Sequence, residues 1–501
     1  MAYIKYLLLL VLPLTFLLNV AYNNKTEFEQ DPNYMYLFNG LNLTTHPGHI
    51  ATYTQGTTAV ELSAVIMRVA HLLRNTDDYF TDDVLKNPQL YIKIVVRTFG
   101  VLICLILFFS GLFILKMTNE LIYSFIFQAV PAFSGSATLW SFESFAAEPI
   151  LLASVMLFII IILWKFYFNK SFGESIISFN GRKIIIDRFS IIIGIMTGFC
   201  LATKMNTLPL LLLPLLLIPK IQDKFLFLII TSISYIFFTL PVAHLYKLTL
   251  AWYASVFFHT GIYGEGSEGI INPETFIQNL RIFISNETVI VFVISVSVLF
   301  LVIQAIRRKF DVSFKLLACL TIVQLANIVI VLKHFYLYYF IPILPTLAMN
   351  VFIISQSFKA RIFWKTALIL SLIFGSFYLN KDLGKRIPHL YQTENPVDGI
   401  NIFSYQSTSP LYALKLGDDA SRNANSQRLK ELYGDQYFYD IWNKIIITWN
   451  DTLSIDSLLK QNEKVYLHAL DQYMQELPPP FEIKYLNKGT YLIKNPYSSL
   501  E

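Results

Sequence analysis

The sequence predicts a mainly α fold: a polytopic bundle of membrane-spanning helices followed by a small soluble C-terminal domain of α/β or α+β character. Three observations carry this. The 501 residues are 55% hydrophobic and only 15% charged, against about 25% charged in a soluble globular protein. Apolar runs near the length that a bilayer requires, about 17–25 residues, recur through most of the chain. After residue 380 those runs stop and ordinary polar content takes over.

The runs fall at roughly 4–21, 93–115, 121–138, 148–167, 188–203, 206–219, 225–243, 288–306, 315–332, 335–354 and 362–379, giving about eleven spans. The pair 188–203 and 206–219 is short and reads either as two spans or as one broken helix. The first run follows Lys5 and lacks an Ala-x-Ala-type cleavage site. It is expected to remain as a first span rather than be removed as a signal peptide.

Alternate connections carry the cations: Lys116, then Lys165, Lys170, Arg182 and Lys183, then Lys220 and Lys224, then Arg307, Arg308, Lys309 and Lys315, then Lys359, Arg361 and Lys365. By the positive-inside rule these connections are cytoplasmic, which places the N-terminus inside and the C-terminus outside. The long segments 22–92 and 244–287 then lie outside. The expected division is a membrane domain over 1–380 and an extracytoplasmic domain over 381–501.

Within 22–92, Glu27, Glu29 and Asp31 lie directly after the first span. They are followed by Tyr34 and Tyr36, an expected Asn-Gly turn at Asn39-Gly40, and a His-Pro-Gly turn at His46-Pro47-Gly48. Residues 57–74 have helical apolar spacing with Glu61, Arg68 and Arg74 elsewhere on the wheel. That fits a helix lying on the membrane surface, or one packed on the protein's own loops. In 244–287, the glycine-rich stretch from His259 to Pro273 predicts a loop. It lacks the pattern of a phosphate-binding P-loop. In the tail, residues 421–447 read as helical, 463–470 and 489–495 as strands, and 476–483 as a turn.

Cys104, Cys200 and Cys319 all fall in apolar runs without a CxxC pair, which points to packing rather than disulfides or zinc. No basic block is interleaved with aromatics, so nucleic-acid binding has no support.

Polar residues at span ends are costly and therefore candidate functional groups. On the predicted outer face these are Asp31, Glu143, Glu148, Lys204, His259, Tyr263, Glu265, Lys333, His334, Tyr338 and Tyr339. Each has a plainer reading. Glu148-Pro149 suits a helix start. Lys204, Lys333 and His334 suit interfacial anchors, and the tyrosines suit an aromatic belt.

The ordered set Asp31, Tyr34, Tyr36, Leu37, Asn39-Gly40-Leu41, His46-Pro47-Gly48, Glu148-Pro149, residues 198–204 (GFCLATK) and residues 333–345 (KHFYLYYFIPILP) resembles the GT-C class of membrane glycosyltransferases. That class includes the protein O-mannosyltransferases and the aminoarabinose transferase of lipid A. Many relatives carry Asp-Glu in the first loop, where this chain has Asp31-Pro32. The resemblance implies a polyprenyl-phosphate-linked sugar donor and a lipid, glycan or protein acceptor with a hydroxyl. It implies a multi-pass protein of the bacterial inner membrane with its site on the periplasmic face. Asp31 would be the general base and Glu148 a second catalytic carboxylate, with Lys204, Lys333, His334, Tyr338 and Tyr339 at the lipid phosphate or donor. His46, His259 and Tyr263 would be loop contacts. No cofactor is fixed by the resemblance, and a divalent metal stays open. The competing readings are a flippase or transporter, or a polymerase, of lipid-linked glycans.

Overall fold

The computed structural model describes residues 2–22, 32–51, 56–179, 182–261, 263–357, 362–380, 398–404, 409–462, 464–469, 479, 481–487 and 489–496. The chain forms two compact units. One gathers Met1–Asn24, Thr52–Ala59 and Val96–Ile387; the other gathers Lys25–Ala51, Val60–Val95 and Pro388–Glu501.

The first unit is helical. Among the described residues of the chain, six helices are long and apolar enough to cross a membrane: Pro88–Thr118, Glu148–Tyr167, Ile221–Phe238, Thr288–Ile306, Val312–Lys333 and Leu337–Ser357. Shorter apolar helices cover Ile4–Leu18, Arg188–Thr203, Met205–Leu217 and Ile369–Tyr378. Ile229, Ile233 and Phe237 on one long helix, and Phe292, Leu299 and Ile306 on another, are more than half exposed. Apolar stripes of that kind are unfavourable in water and suit hydrocarbon. The arrangement is compatible with a multi-pass membrane protein.

Two local features explain departures from simple spans. The run 121–138 is divided among the helix Leu121–Gln128, the 3-10 turn Val130–Phe133 and the helix Gly135–Glu143. Pro131 cannot extend a helical ladder, and the Ser134 hydroxyl caps the next helix by accepting from the Ala137 amide at 3.2 Å. A hairpin of β1 (Glu174–Phe179) and β2 (Arg182–Asp187) occupies the basic connection before Arg188.

The Arg188–Thr203 helix packs closely on Ile221–Phe238 because Gly194 and Gly198 share one face. A Cβ at Gly198 would sit 2.6 Å from the Thr231 carbonyl oxygen, and one at Gly194 would sit 2.9 Å from Ile230 Cγ2. Small residues four apart allow this backbone approach in an apolar medium. Elsewhere in the bundle, Asn350 Nδ2 donates to Ser297 Oγ and Gln324 Oε1, and Gln324 Nε2 donates to Thr346 Oγ1, each at 2.9 Å. Such bonds join helices where apolar contact alone gives little preference over lipid.

The second unit contains the helices Asn33–Thr45, Phe80–Lys86, Pro410–Asp419, Ser426–Tyr433 and Ile455–Gln461, together with residues from Val60 onward of the helix Thr57–Arg74. Its seven-stranded sheet has the order β6-β5-β4-β3-β7-β9-β8. The strands are β3 (Ile400–Ser404), β4 (Tyr437–Asp440), β5 (Ile445–Ile447), β6 (Thr452–Leu453), β7 (Val465–His468), β8 (Ile483–Asn487) and β9 (Thr490–Ile493). β3 pairs in parallel with β4 and β7, and the remaining pairs are antiparallel. The sheet core is Ile402, Tyr439, Leu467 and Ile493 with their buried neighbours.

Two sequence expectations are corrected here. Asn39-Gly40 is not a turn but the middle of the Asn33–Thr45 helix. Asn39 Nδ2 donates to the Met35 carbonyl at 2.8 Å, while its Oδ1 accepts from the Ala51 amide at 2.7 Å. Gly40 admits the next helix: a Cβ there would lie 2.7 Å from Met67 Cε and from Ser63 Oγ. Residues 421–447 are helical only over Ser426–Tyr433. Gly434, at φ 71°, ends that helix, and β4 and β5 follow. The strands read at 463–470 and 489–495 are β7 and β9; half of the expected turn 476–483 lies outside the described residues, and Ile483 begins β8.

The Thr57–Arg74 helix forms as expected. Ala59, Val60, Ser63, Ala64, Met67 and Ala70 are buried, while Val65, Val69, Leu72 and Leu73 are exposed.

Candidate functional site

The site builds from one helix ending. Arg188–Thr203 starts under the cap of Asp187, whose carboxylate accepts from the Phe189 amide at 3.1 Å. It stops at Lys204, which is extended at φ −162° and ψ 130°. Below Lys204 the chain tightens into the 3-10 segment Met205–Leu211. The Thr207 hydroxyl donates to the Lys204 carbonyl at 2.7 Å, and Asn327 Nδ2 donates to the Asn206 carbonyl at 2.8 Å. Asn206 Nδ2 in turn donates to the Tyr339 carbonyl at 2.9 Å. These bonds fix the backbone beside Lys204 to two neighbouring elements.

The Lys204 ammonium donates to Glu148 Oε1, and the two side chains are only 4% and 3% exposed. Glu148 lies in the first turn of Glu148–Ile162, with Pro149 beside it. It is therefore a helix-start acid and an ion-pair partner at once. The ammonium also lies 4.9 Å from the Tyr338 ring centre and 4.5 Å from that of Tyr339. Desolvated cation–π contacts of this kind contribute about 2 kcal/mol. Trp140 packs on Tyr338 with ring centres 4.2 Å apart.

A cavity of about 100 Å³ opens beside this pair. Its polar groups come from Lys204, Asn206, Tyr263, His334 and Tyr339, and its apolar walls from Trp252, Val256, Phe257 and Ile330 among others. Leu248, Leu250 and Phe258, on the same helix as Trp252 and Val256, are more than half exposed. The wall of the cavity is thus also a lipid-type surface.

Two expected site residues do other work. Lys333 does not line the cavity. Its ammonium donates to the carbonyls of Val256 at 2.7 Å and Phe257 at 2.6 Å, closing the end of the Tyr246–Phe258 helix. His259 pairs through its backbone with Glu268 at the base of the glycine-rich loop. That loop is ordered by its own bonds: Thr260 N donates to the Ser267 carbonyl at 2.9 Å, and Ser255 Oγ to the Gly264 carbonyl at 2.7 Å. Gly264 at φ 77° leaves no space for a Cβ, which would stand 2.4 Å from the Ser255 carbonyl carbon.

Asp31, Glu27 and Glu29 lie outside the described residues. His46 belongs to the second unit, exposed, with Nδ1 3.0 Å from Thr45 Oγ1 and its ring edge-on to His49. The structure therefore joins Glu148, Lys204, Tyr338 and Tyr339 in one cluster. It lines one cavity with Lys204, Tyr263, His334 and Tyr339.

Asn206, Trp140 and Trp252 were not anticipated. Asn206 was legible only as a polar residue two places from Lys204. The tryptophans carried no signal beyond aromatic character.

A divalent metal finds little support at this cluster. Among the described residues no group of three or more His, Cys, Asp or Glu side chains is placed to hold one, and the Glu148 carboxylate is engaged by Lys204. Glu287 is a further buried acid, accepting from Ser134 Oγ at 2.9 Å. Comparison of the chain with protein-family models, with curated proteins and with solved structures finds no match.

Proposed function

We propose that the chain is a membrane glycosyltransferase of the GT-C type. It moves a sugar from a polyprenyl-phosphate donor to a hydroxyl acceptor at the outer face of a bacterial inner membrane. In this reading the chain crosses the bilayer about eleven times, N-terminus inside and C-terminus outside. The observation that carries it is the cavity of Lys204, Asn206, His334 and Tyr339 with its aromatic and aliphatic walls. A polyprenyl phosphate has the matching form: an anionic head on a long apolar tail.

The chemistry follows from the donor. The acceptor hydroxyl attacks the anomeric carbon as Asp31 takes its proton, and the bond from that carbon to the phosphate oxygen breaks. The electron pair leaves with the polyprenyl phosphate, whose growing negative charge is met by nearby cations. His334, in the cavity wall, supplies its charge at a distance. Lys204 can contribute through its remaining N–H groups while Glu148 balances its charge and sets its position. Inversion at the sugar carbon is the expected stereochemistry of this single displacement.

The transporter reading would need polar groups lining a route between the helices. Gln324, Thr346, Asn350 and Ser297 are instead fully buried and bonded to one another, which favours the enzyme.

The test is turnover of a radiolabelled polyprenyl-phosphate sugar by purified protein in lipid. Asp31→Asn should abolish transfer while leaving insertion and donor binding intact. Turnover by Asp31→Asn at the wild-type rate rules out Asp31 as the base.

A further inference from the structure

Among the side chains that join the glycine-rich loop to the cavity wall is His334. Its Nδ1 lies 2.9 Å from the Gly261 carbonyl oxygen and its Nε2 lies 2.8 Å from the Val256 carbonyl oxygen. A carbonyl can only accept. A neutral imidazole has one N–H, so it would satisfy one contact and turn a lone pair toward the other oxygen. Both contacts are bonds only when the ring carries both protons. We propose that His334 is held as an imidazolium and latches the 259–272 loop beside the cavity, making it a positioning residue whose protonation governs access to the anion site.

The surroundings bear on that charge in both directions. Lys333, next in the chain, shares the Val256 carbonyl and opposes a second cation. Against it stands the end of the Tyr246–Phe258 helix, where the Val256 and Phe257 carbonyls face these donors and the helix dipole favours cations. The other terminal carbonyls are used as well: Ser255 accepts from His259 N, and Phe258 from Gly269 N. On the loop, Glu265 accepts from the Tyr263 amide at 2.6 Å and packs against Gly261, adding negative charge near Nδ1. The base of the loop adds His259 and Glu268, which pair through their backbones. Across the cavity, Lys204 is balanced by Glu148. Tyr253, Tyr263 and Tyr339 also line the cavity, and the Tyr336 ring lies 6.4 Å from that of Tyr263.

The consequence for ligand binding rests on the proposed anion site; the latch itself does not. The ring bridges the Gly261 carbonyl of the loop and the Val256 carbonyl of the helix end, and that bridge loses one of its two bonds when the ring loses a proton. The cavity loses a positive charge at the same step.

Hydrogen–deuterium exchange of intact protein in lipid nanodiscs tests the latch without ligand. After correction for intrinsic pH dependence, exchange in residues 259–272 should rise at least tenfold between about pH 5.5 and about pH 8.5, either side of the ordinary imidazole value. His334→Gln should exchange fast at both values, and His334→Lys, a cation throughout, should restore slow exchange at both. Exchange within Val312–Lys333 serves as the folding control. Loop exchange that ignores pH in the wild type, or a wild-type pH profile in His334→Gln, overturns the latch. A second measurement takes farnesyl phosphate as probe. A phosphate monoester gains charge near pH 6, so ligand titration alone would strengthen binding as pH rises. The latch predicts a loss of tenfold or more, absent in His334→Lys. Absence of farnesyl phosphate binding at every pH, with the exchange result intact, sinks the anion-site reading and leaves the latch standing.

Discussion

In the helical unit, buried Lys204 meets buried Glu148, so two charges enter the interior and cancel there. In the second unit His468 and Glu61 respond to burial differently. His468 sits in the sheet with Nε2 2.7 Å from Asn401 Oδ1, and burial pushes it down to about 4. Burial pushes the Glu61 carboxyl up to about 7. Each gives up its charge rather than pairing it. Pairing keeps two opposite charges beside a cavity. Shedding charge leaves neutral packing groups and makes the fold responsive to pH. The difference lies between individual groups rather than whole units, since Asp83 of the second unit is buried and paired with Arg74 at 3.0 Å.

The pair offers the largest effect. Glu148→Ala or Lys204→Ala leaves one uncompensated buried charge and should cost about 3–5 kcal/mol each. Glu148→Leu combined with Lys204→Met removes both charges and should come within about 1 kcal/mol of wild type, or exceed it, as buried pairs replaced by apolar groups often do. Unfolding of wild type, Glu148→Leu, Lys204→Met and the two combined, in one detergent, measures this as a double-mutant cycle. Additive losses would show that the two residues are held by separate surroundings, and the contrast with His468 and Glu61 would fail.

His468 comes next. An ordinary imidazole titrates at about 6.5, and the folded value is about 4. Above 6.5 both states are neutral and this group is indifferent. Below 6.5 the unfolded chain binds a proton that the folded sheet refuses. Stability therefore falls as pH drops through that window, by about 3 kcal/mol at its foot. Exchange protection in β7 and β9 should follow that curve, and His468→Gln should flatten it. A variant that keeps the slope would assign it to other groups.

Helical class, apolar runs and the strands at β7 and β9 were legible because each is written locally, in hydropathy or in alternation. The cluster of Glu148 and Lys204 was legible only as two costly residues on one predicted face. Their partnership joins positions 56 apart, and no local pattern encodes it. Asn39-Gly40 misled because a turn dipeptide was read without its neighbours. Tyr34, Leu37, Phe38 and Leu41 give one side of a helix to bury, while Asn42 bonds to the Ser421 carbonyl at 3.1 Å and accepts from Asn425 at 3.0 Å. Tertiary bonds of that span outweigh a local turn preference. The contact of Gly194 and Gly198 with the Ile221–Phe238 helix joins segments that no local pattern links. The two contacts of His334 required coordinates, because both acceptors are backbone carbonyls.

Glu61 gives the smallest effect and opposes His468 in sign. Its folded carboxyl holds a proton up to about 7, whereas an ordinary glutamate releases it at 4.5. Below 4.5 both states are protonated and the burial is harmless. Between those values the unfolded chain ionises and the folded helix does not, so stability falls as pH rises. Once pH passes the folded value, the group charges in place and the full loss is reached. The side chain is part-exposed, and solvent screening reduces the loss to about 1–2 kcal/mol. Exchange in residues 60–74 should therefore quicken from about pH 4.5 to about pH 7 in the wild type, after intrinsic correction, and Glu61→Gln should remove most of that change. The two windows overlap between about pH 4.5 and about pH 6.5, where the opposing slopes partly cancel, so replacing either group should expose the slope of the other. If Glu61→Gln retains the wild-type slope, its carboxyl is hydrated in the fold.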